Sequence, residues 1–161
     1  MSGSVNATSF SGSSSGLQTP FFIANISSAQ TVNATGWTTI SFNHVVKDTL
    51  NAYNTSTYRY QPTIAGYYSC TACVTLASAN LYIVVIFKTG NETSGVGCYP
   101  GYSMTPLVCG IETTGIIYLN GSSDYIDCRI AATSAASTVT PGTANFHVNR
   151  FCAHLIYAGG P

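Results

Sequence analysis

Cys70-Thr71-Ala72-Cys73 comes nearest to chemistry, because a Cys-x-x-Cys spacing serves redox dithiols and zinc sites. The surrounding residues, from Tyr67 to Leu76, read as a strand. An odd separation along a strand sends two side chains to opposite faces, so these thiols cannot share a metal or close a redox pair. A structural role follows for both. The six cysteines leave room for up to three disulfides, and spacing alone does not fix their connectivity. Cys98 and Cys109 flank a turn-rich stretch and are the candidate disulfide. Cys73 with Cys152 and Cys70 with Cys128 are further options, and free thiols weigh evenly against all of them.

Other candidates dissolve in the same way. Gly12-Ser13-Ser14-Ser15-Gly16 spells a nucleophile elbow, but that motif works only between a strand and a helix. His44, His147 and His154 lack the spacing of a ligand set, and the chain has only five carboxylates. Asp124 and Asp127 lie near a hairpin, where Asp commonly serves turn geometry. No catalytic, cofactor-binding or metal-binding residue is assigned, and no enzyme is expected. Acceptor patterns for N-glycosylation at Asn6, Asn25, Asn33, Asn54, Asn91 and Asn120 fit chance in a chain this rich in Asn, Ser and Thr. Tyr53, Tyr58, Tyr60, Tyr99, Tyr102 and Tyr118 could stack on sugars, but aromatics also fill β-sandwiches, which is the favoured reading.

The composition explains why chemistry is so sparse. Charged residues make up 6% of the 161, the net charge is zero, and 45% of residues are hydrophobic. Without a basic stripe, no nucleic-acid partner is expected. No run approaches the ~18 apolar residues that span a bilayer, so no membrane partner is expected either. The opening Met1-Ser2-Gly3-Ser4-Val5-Asn6 has no basic start and no apolar run, which argues against a secretory signal. Abundant Thr, Val, Ile, Tyr and Phe suit pleated sheets, and no stretch shows helical spacing. Near-zero charge also removes a barrier to self-association.

Residues 1–18 are rich in Ser and Gly and read as a flexible arm, followed by a single domain over 19–161. Strands are expected over 20–26, 37–42, from Tyr58, over 67–76, 81–88, 111–119 and 125–132, and from about 145 to 157. Thr89-Gly90-Asn91 and Asn120-Gly121 read as turns, and 98–109 as a loop. Tyr82-Ile83-Val84-Val85-Ile86-Phe87 is apolar on both alternating faces, so it needs a second covering partner. A loop or a subunit interface would serve, and the low charge favours the interface, with Tyr82, Val84 and Ile86 as candidate seam residues.

Taken in order, these blocks resemble a known family. Trp37-x-x-Ile40-x-Phe42-Asn43, Asp48 and Tyr53-Asn54-x-Ser56-Thr57-x-Arg59-Tyr60-x-Pro62-x-x-Ala65-Gly66-Tyr67-Tyr68 resemble the globular head of complement component C-one-q. So do Ile86-x-Lys88-x-Gly90, Ile117-Tyr118-Leu119-Asn120-Gly121-x-x-Asp124-Tyr125-Ile126 and Phe151-x-Ala153-x-Leu155. The likeness is to the versions found in bacteriophage and bacterial proteins, within the tumour-necrosis-factor-like superfamily. It implies an all-β, ten-stranded jelly-roll sandwich that forms a homotrimer, with first and last strands side by side. It also implies that Cys70 points inward and Cys73 outward. The calcium-binding carboxylates of some family members have no counterpart here, and no cofactor is expected.

The resulting expectation is a capsid decoration or cement protein of a bacteriophage, made in the host cytoplasm and placed on the virion surface. The arm would contact other virion proteins. A receptor-binding tip of a tail fibre is the alternative, with Tyr99 and Tyr102 as the candidate ligand loop for a host surface glycan or protein. A secreted C-one-q-like ligand is a distant third.

Overall fold

The computed structural model describes residues 19–76, 81–102, 109–132, 136–141 and 149–161, with side chains undescribed at 81, 92–102 and 109. Thirteen strands and no helix occur among them. These are β1 (Phe21–Asn25), β2 (Gln30–Val32), β3 (Trp37–Thr39), β4 (His44–Asp48), β5 (Tyr53–Asn54), β6 (Arg59–Tyr60) and β7 (Gly66–Leu76). The chain continues through β8 (Leu81–Lys88), β9 (Asn91–Tyr102), β10 (Cys109–Leu119), β11 (Ile126–Ala132), β12 (Ser137–Val139) and β13 (Arg150–Ala158).

Two antiparallel sheets face each other. One runs β2-β12-β7-β13-β1-β4, with β10 also on β7; the other runs β5-β6-β11-β8-β9, with β3 also on β11. First and last strands pair, Ile23 opposite Cys152, as the family resemblance implies. The strand count exceeds ten because short pieces such as β2, β3, β5 and β6 flank the long strands.

Alternation sets the layers. Along β7, Tyr68, Cys70, Ala72 and Val74 are buried while Tyr67, Ser69, Thr71 and Cys73 are half-buried on the other face. Opposite them, β11 contributes Ile126, Cys128 and Ile130 to the same core. An aromatic centre fills one end: Phe22 stacks on Tyr60 at 4.2 Å and on Tyr53 at 5.0 Å, and meets Phe151 edge-on. Full burial of each such apolar side chain contributes about 1.5–3 kcal/mol.

β8 corrects the seam expectation. Tyr82, Val84 and Ile86 are fully buried within one chain, in the core between the sheets, and cannot line a subunit interface. The other face of β8 is covered as well: Val85 and Phe87 are buried, and Phe87 lies beneath Trp37 of β3 and Arg129. Both faces of the two-faced strand therefore find cover inside the monomer, with Ile83 left half-buried.

The stretch from Cys98 also departs from expectation. Residues 98–102 extend β9 instead of forming a loop, with Cys98 opposite Val84 and Tyr102 opposite Leu81. Pro100 fits because β9 is an edge strand and the register shifts between Tyr82 and Val84. The turns behave as read: Thr89 and Gly90 have φ of 50° and 74°, suited to the tight connection from β8 to β9.

Candidate assembly face and polar cleft

Four of the six cysteines can be placed, and all four are free. Cys70 faces the core and Cys73 the outer surface, as the resemblance implies. Cys152 sits opposite Thr71 and Cys73 opposite Arg150, so the two outer thiols are one diagonal step apart. Diagonal neighbours lie at ~7–8 Å, beyond the usual Cα reach of a disulfide. Burial pushes the Cys70 and Cys128 thiols well above their ordinary value. The candidate pair Cys98 and Cys109, and the candidate ligand residues Tyr99 and Tyr102, have side chains outside the described residues. His44 and His154 are exposed on different strands, β4 and β13. No cluster of three His, Cys, Asp or Glu suited to a metal occurs among the described residues.

Two other features do stand out. The first is the outer face of the larger sheet, where β10, β7 and β13 bring side chains into rows. Tyr118, Tyr67 and Tyr157 form one row, then Ile116, Ser69 and His154, then Thr114, Thr71 and Cys152, and last Glu112, Cys73 and Arg150. The Tyr67 ring lies 5.4 Å from Tyr118 and 6.3 Å from Tyr157 between centroids. The Thr71 and Thr114 hydroxyls share a 2.9 Å hydrogen bond. Ile116 is 61% exposed and Tyr157 63%, and among the described residues of these rows the carboxylate of Glu112 and the guanidinium of Arg150 are confined to the last.

The second is a cleft of about 760 Å³ beside the smaller sheet, lined by residues 50–57, Arg59, 61–63 and Ser122. Its shape is fixed locally. Asp48 accepts hydrogen bonds from the backbone N–H groups of Leu50 and Tyr53, at 3.2 and 2.7 Å. Asn54 Oδ1 accepts those of Ser56 and Thr57, and Gln61 Nε2 donates to the Ser122 carbonyl at 2.7 Å. Arg59 alternates with inward-facing Tyr60 and so points outward. Its guanidinium carbon sits 4.1 Å over the Tyr125 ring. Asp127 is buried and accepts hydrogen bonds from Nε and Nη2 of Arg129, both at 2.9 Å; Arg59 Nε stands off at 3.9 Å. Sequence reasoning singled out Tyr53 and Tyr58 near this stretch but not Arg59; its signal was a lone cation in a run of amides and hydroxyls.

No family model matches the sequence, and no curated protein matches it. Solved structures do. The globular domain of zebrafish complement 1qA protein superposes with a TM-score of 0.63 at 13% identity, covering 87% of this chain and 99% of that one. Murine APRIL superposes with a TM-score of 0.61 at 10% identity, covering 86% and 100%. At such identities the likeness is one of fold: the chain is an all-β jelly-roll sandwich of the kind these two domains share.

Proposed function

We propose that this chain is a non-enzymatic jelly-roll head that assembles as a homotrimer and serves as a structural component of a virus particle, decorating a bacteriophage capsid. The observation that carries the assembly is the outer face of β10, β7 and β13, where Ile116 and Tyr157 stand more than half exposed among tyrosines and hydroxyls. Exposed apolar surface rimmed by polar groups marks an interaction site. Zero net charge leaves little repulsion to oppose it. The fold shared with a complement 1qA head and APRIL supports the same reading. The virion placement is supported by the resemblance to bacteriophage versions of the head. The Ser/Gly-rich residues 1–18 would lie along the shell and join neighbouring subunits.

Light scattering on the intact chain tests the assembly. The expected mass is three times the 16.9 kDa chain mass, falling to one chain for Ile116→Asp. A monomeric parent would overturn the trimer, and a trimeric Ile116→Asp would overturn this face. Mass spectrometry of purified phage particles tests the placement: the chain should co-purify through a density gradient, and particles that lack it would end the capsid reading.

A further inference from the structure

The geometry points to the cleft around Arg59 as a binding site for a saccharide that carries a carboxylate, such as a hexuronic acid. This inference stands independently of where on a particle the chain sits. A volume of about 760 Å³ is within the range of small-molecule sites. The lining is dominated by hydroxyls and amides, with Asn51, Thr55, Thr57, Thr63 and Ser122 all facing the cleft. Such a lining matches a ligand covered in hydroxyl groups and offers little to an apolar one.

Charge supplies the second half. Arg59 and Arg129 share one carboxylate, Asp127, and Arg129 already holds both of its oxygens. Asp48, the other carboxylate beneath the 50–53 stretch, is turned onto two backbone N–H groups. Asp124 is paired with Lys88 at 2.9 Å. Arg59 is the one charged side chain among the residues that line the cleft, so the lining itself presents a single positive charge. Arg59 Nε is shut from solvent without a hydrogen-bond partner, yet the side chain is 42% exposed, which leaves the Nη edge for a ligand. Stacking on Tyr125 holds that planar fork in place. A guanidinium fork pairs with a carboxylate through two parallel hydrogen bonds. One cation in the lining suits one carboxylate and is too little for a polyanion such as nucleic acid.

The test is a two-dimensional NMR titration of the intact protein with D-glucuronate, D-glucose and sodium acetate. Glucuronate should shift amides of residues 50–63 and Ser122, and bind at least tenfold more tightly than glucose or acetate. Arg59→Gln should reduce glucuronate affinity to that of glucose. Thr55→Trp, a change at an exposed residue without a hydrogen bond, should block binding while leaving the melting transition in place. That second variant decides the matter if Arg59→Gln fails to fold. Absence of shifts with glucuronate would overturn the site. Acetate binding as tightly as glucuronate would reduce it to an anion site, and glucuronate binding unchanged in either variant would move it elsewhere; both results overturn the proposal.

Discussion

Trp37 lies edge-on against Phe87, with ring centroids 5.0 Å apart and planes 75° apart. Arg129 lies over the same Phe87 ring, 4.4 Å from its centroid. Between them they leave Phe87 2% exposed on the outer face of β8. The strand whose second face favoured a subunit interface over a covering loop is covered at Phe87 by β3 of its own chain, which pairs with β11 at Thr39 opposite Arg129.

Trp37→Ala should therefore destabilise the monomer fold rather than the assembly. Trp37 is half-buried, so the loss should fall near the lower end of the range for large aromatic truncations, about 2–3 kcal/mol. Urea unfolding followed by circular dichroism would measure it, since Trp37 is the sole tryptophan and its fluorescence disappears with it. A variant as stable as the parent would mean that Phe87 is covered by something else.

Two buried tyrosines should respond in opposite directions to loss of the hydroxyl. Tyr53 donates a 2.9 Å hydrogen bond to the Phe42 carbonyl, whereas the Tyr60 hydroxyl is buried without a partner. Tyr53→Phe should cost about 1 kcal/mol, and Tyr60→Phe should be neutral or stabilising by about 1 kcal/mol. Paired denaturation midpoints decide it; equal losses in both variants would show that Tyr60 has a partner after all.

The fold was legible in the sequence and the interaction sites were not, for physical reasons. Alternation in 67–76 and 125–132 reports which face is buried, so those strands could be read directly. The same logic misled at 82–87, because periodicity shows that both faces are covered but not whether the cover comes from the same chain. β3 is only three residues long and lies far from β8 in sequence, so nothing local announces it. Pro100 and Gly101 suggested a loop because turn propensity is local, whereas pairing with β8 is not. Arg59 was hidden by the same kind of distance: Tyr125, whose ring it stacks on, and the buried Asp127 both lie more than sixty residues further on.

Asp124 should make stability fall in acid. Burial alone would raise its pKa, but hydrogen bonds from Lys88, the Asn120 backbone and Thr89, with the Lys88 charge, hold it below the ordinary 3.8. A carboxyl depressed in the folded state stabilises above its unfolded value, and that contribution drains away as pH falls through the lowered one. Denaturation midpoints should accordingly drop below about pH 4, with a shallower slope in Asp124→Asn. Equal acid slopes in the two proteins would place the titration elsewhere.

At the alkaline end the sign reverses. Burial, aided by the nearby Cys70, raises Tyr68 to about 12, and burial lifts Tyr53, Tyr60 and the Cys70 and Cys128 thiols further. Groups whose folded pKa exceeds the unfolded one stabilise below the unfolded value and lose that effect as pH rises. Stability should decline above about pH 9–10, where the unfolded chain releases these protons first. Iodoacetamide labelling of the monomeric Ile116→Asp variant, with peptide mapping, gives an independent check: Cys73 and Cys152, half-buried on the outer sheet face, should react in the folded variant, Cys70 and Cys128 only on unfolding. Early labelling of Cys128 would contradict its position in the core.

The connection from β10 to β11 turns on Gly121, which has φ of +71°. A Cβ there would meet the Ala65 backbone nitrogen at 2.4 Å and the Ile64 carbonyl carbon at 2.8 Å, atoms of main chain that cannot swing aside. Gly121→Ala thus combines a left-handed backbone with a backbone clash, and should cost at least ~2 kcal/mol. Gly110 in β10 is the matched control, because a Cβ there meets nothing within 4 Å and its φ is not in the left-handed region. Gly110→Ala should be neutral or gain about 0.5 kcal/mol, since alanine loses less conformational freedom on folding. The clash also bears on the cleft: Gln61 reaches across to the Ser122 carbonyl, next to Gly121, so displacing this turn pulls Ser122 out of the lining. Gly121→Ala should consequently weaken glucuronate binding along with stability, whereas Gly110→Ala should leave both intact. A destabilised Gly121→Ala that still binds glucuronate with full affinity would separate the turn from the cleft.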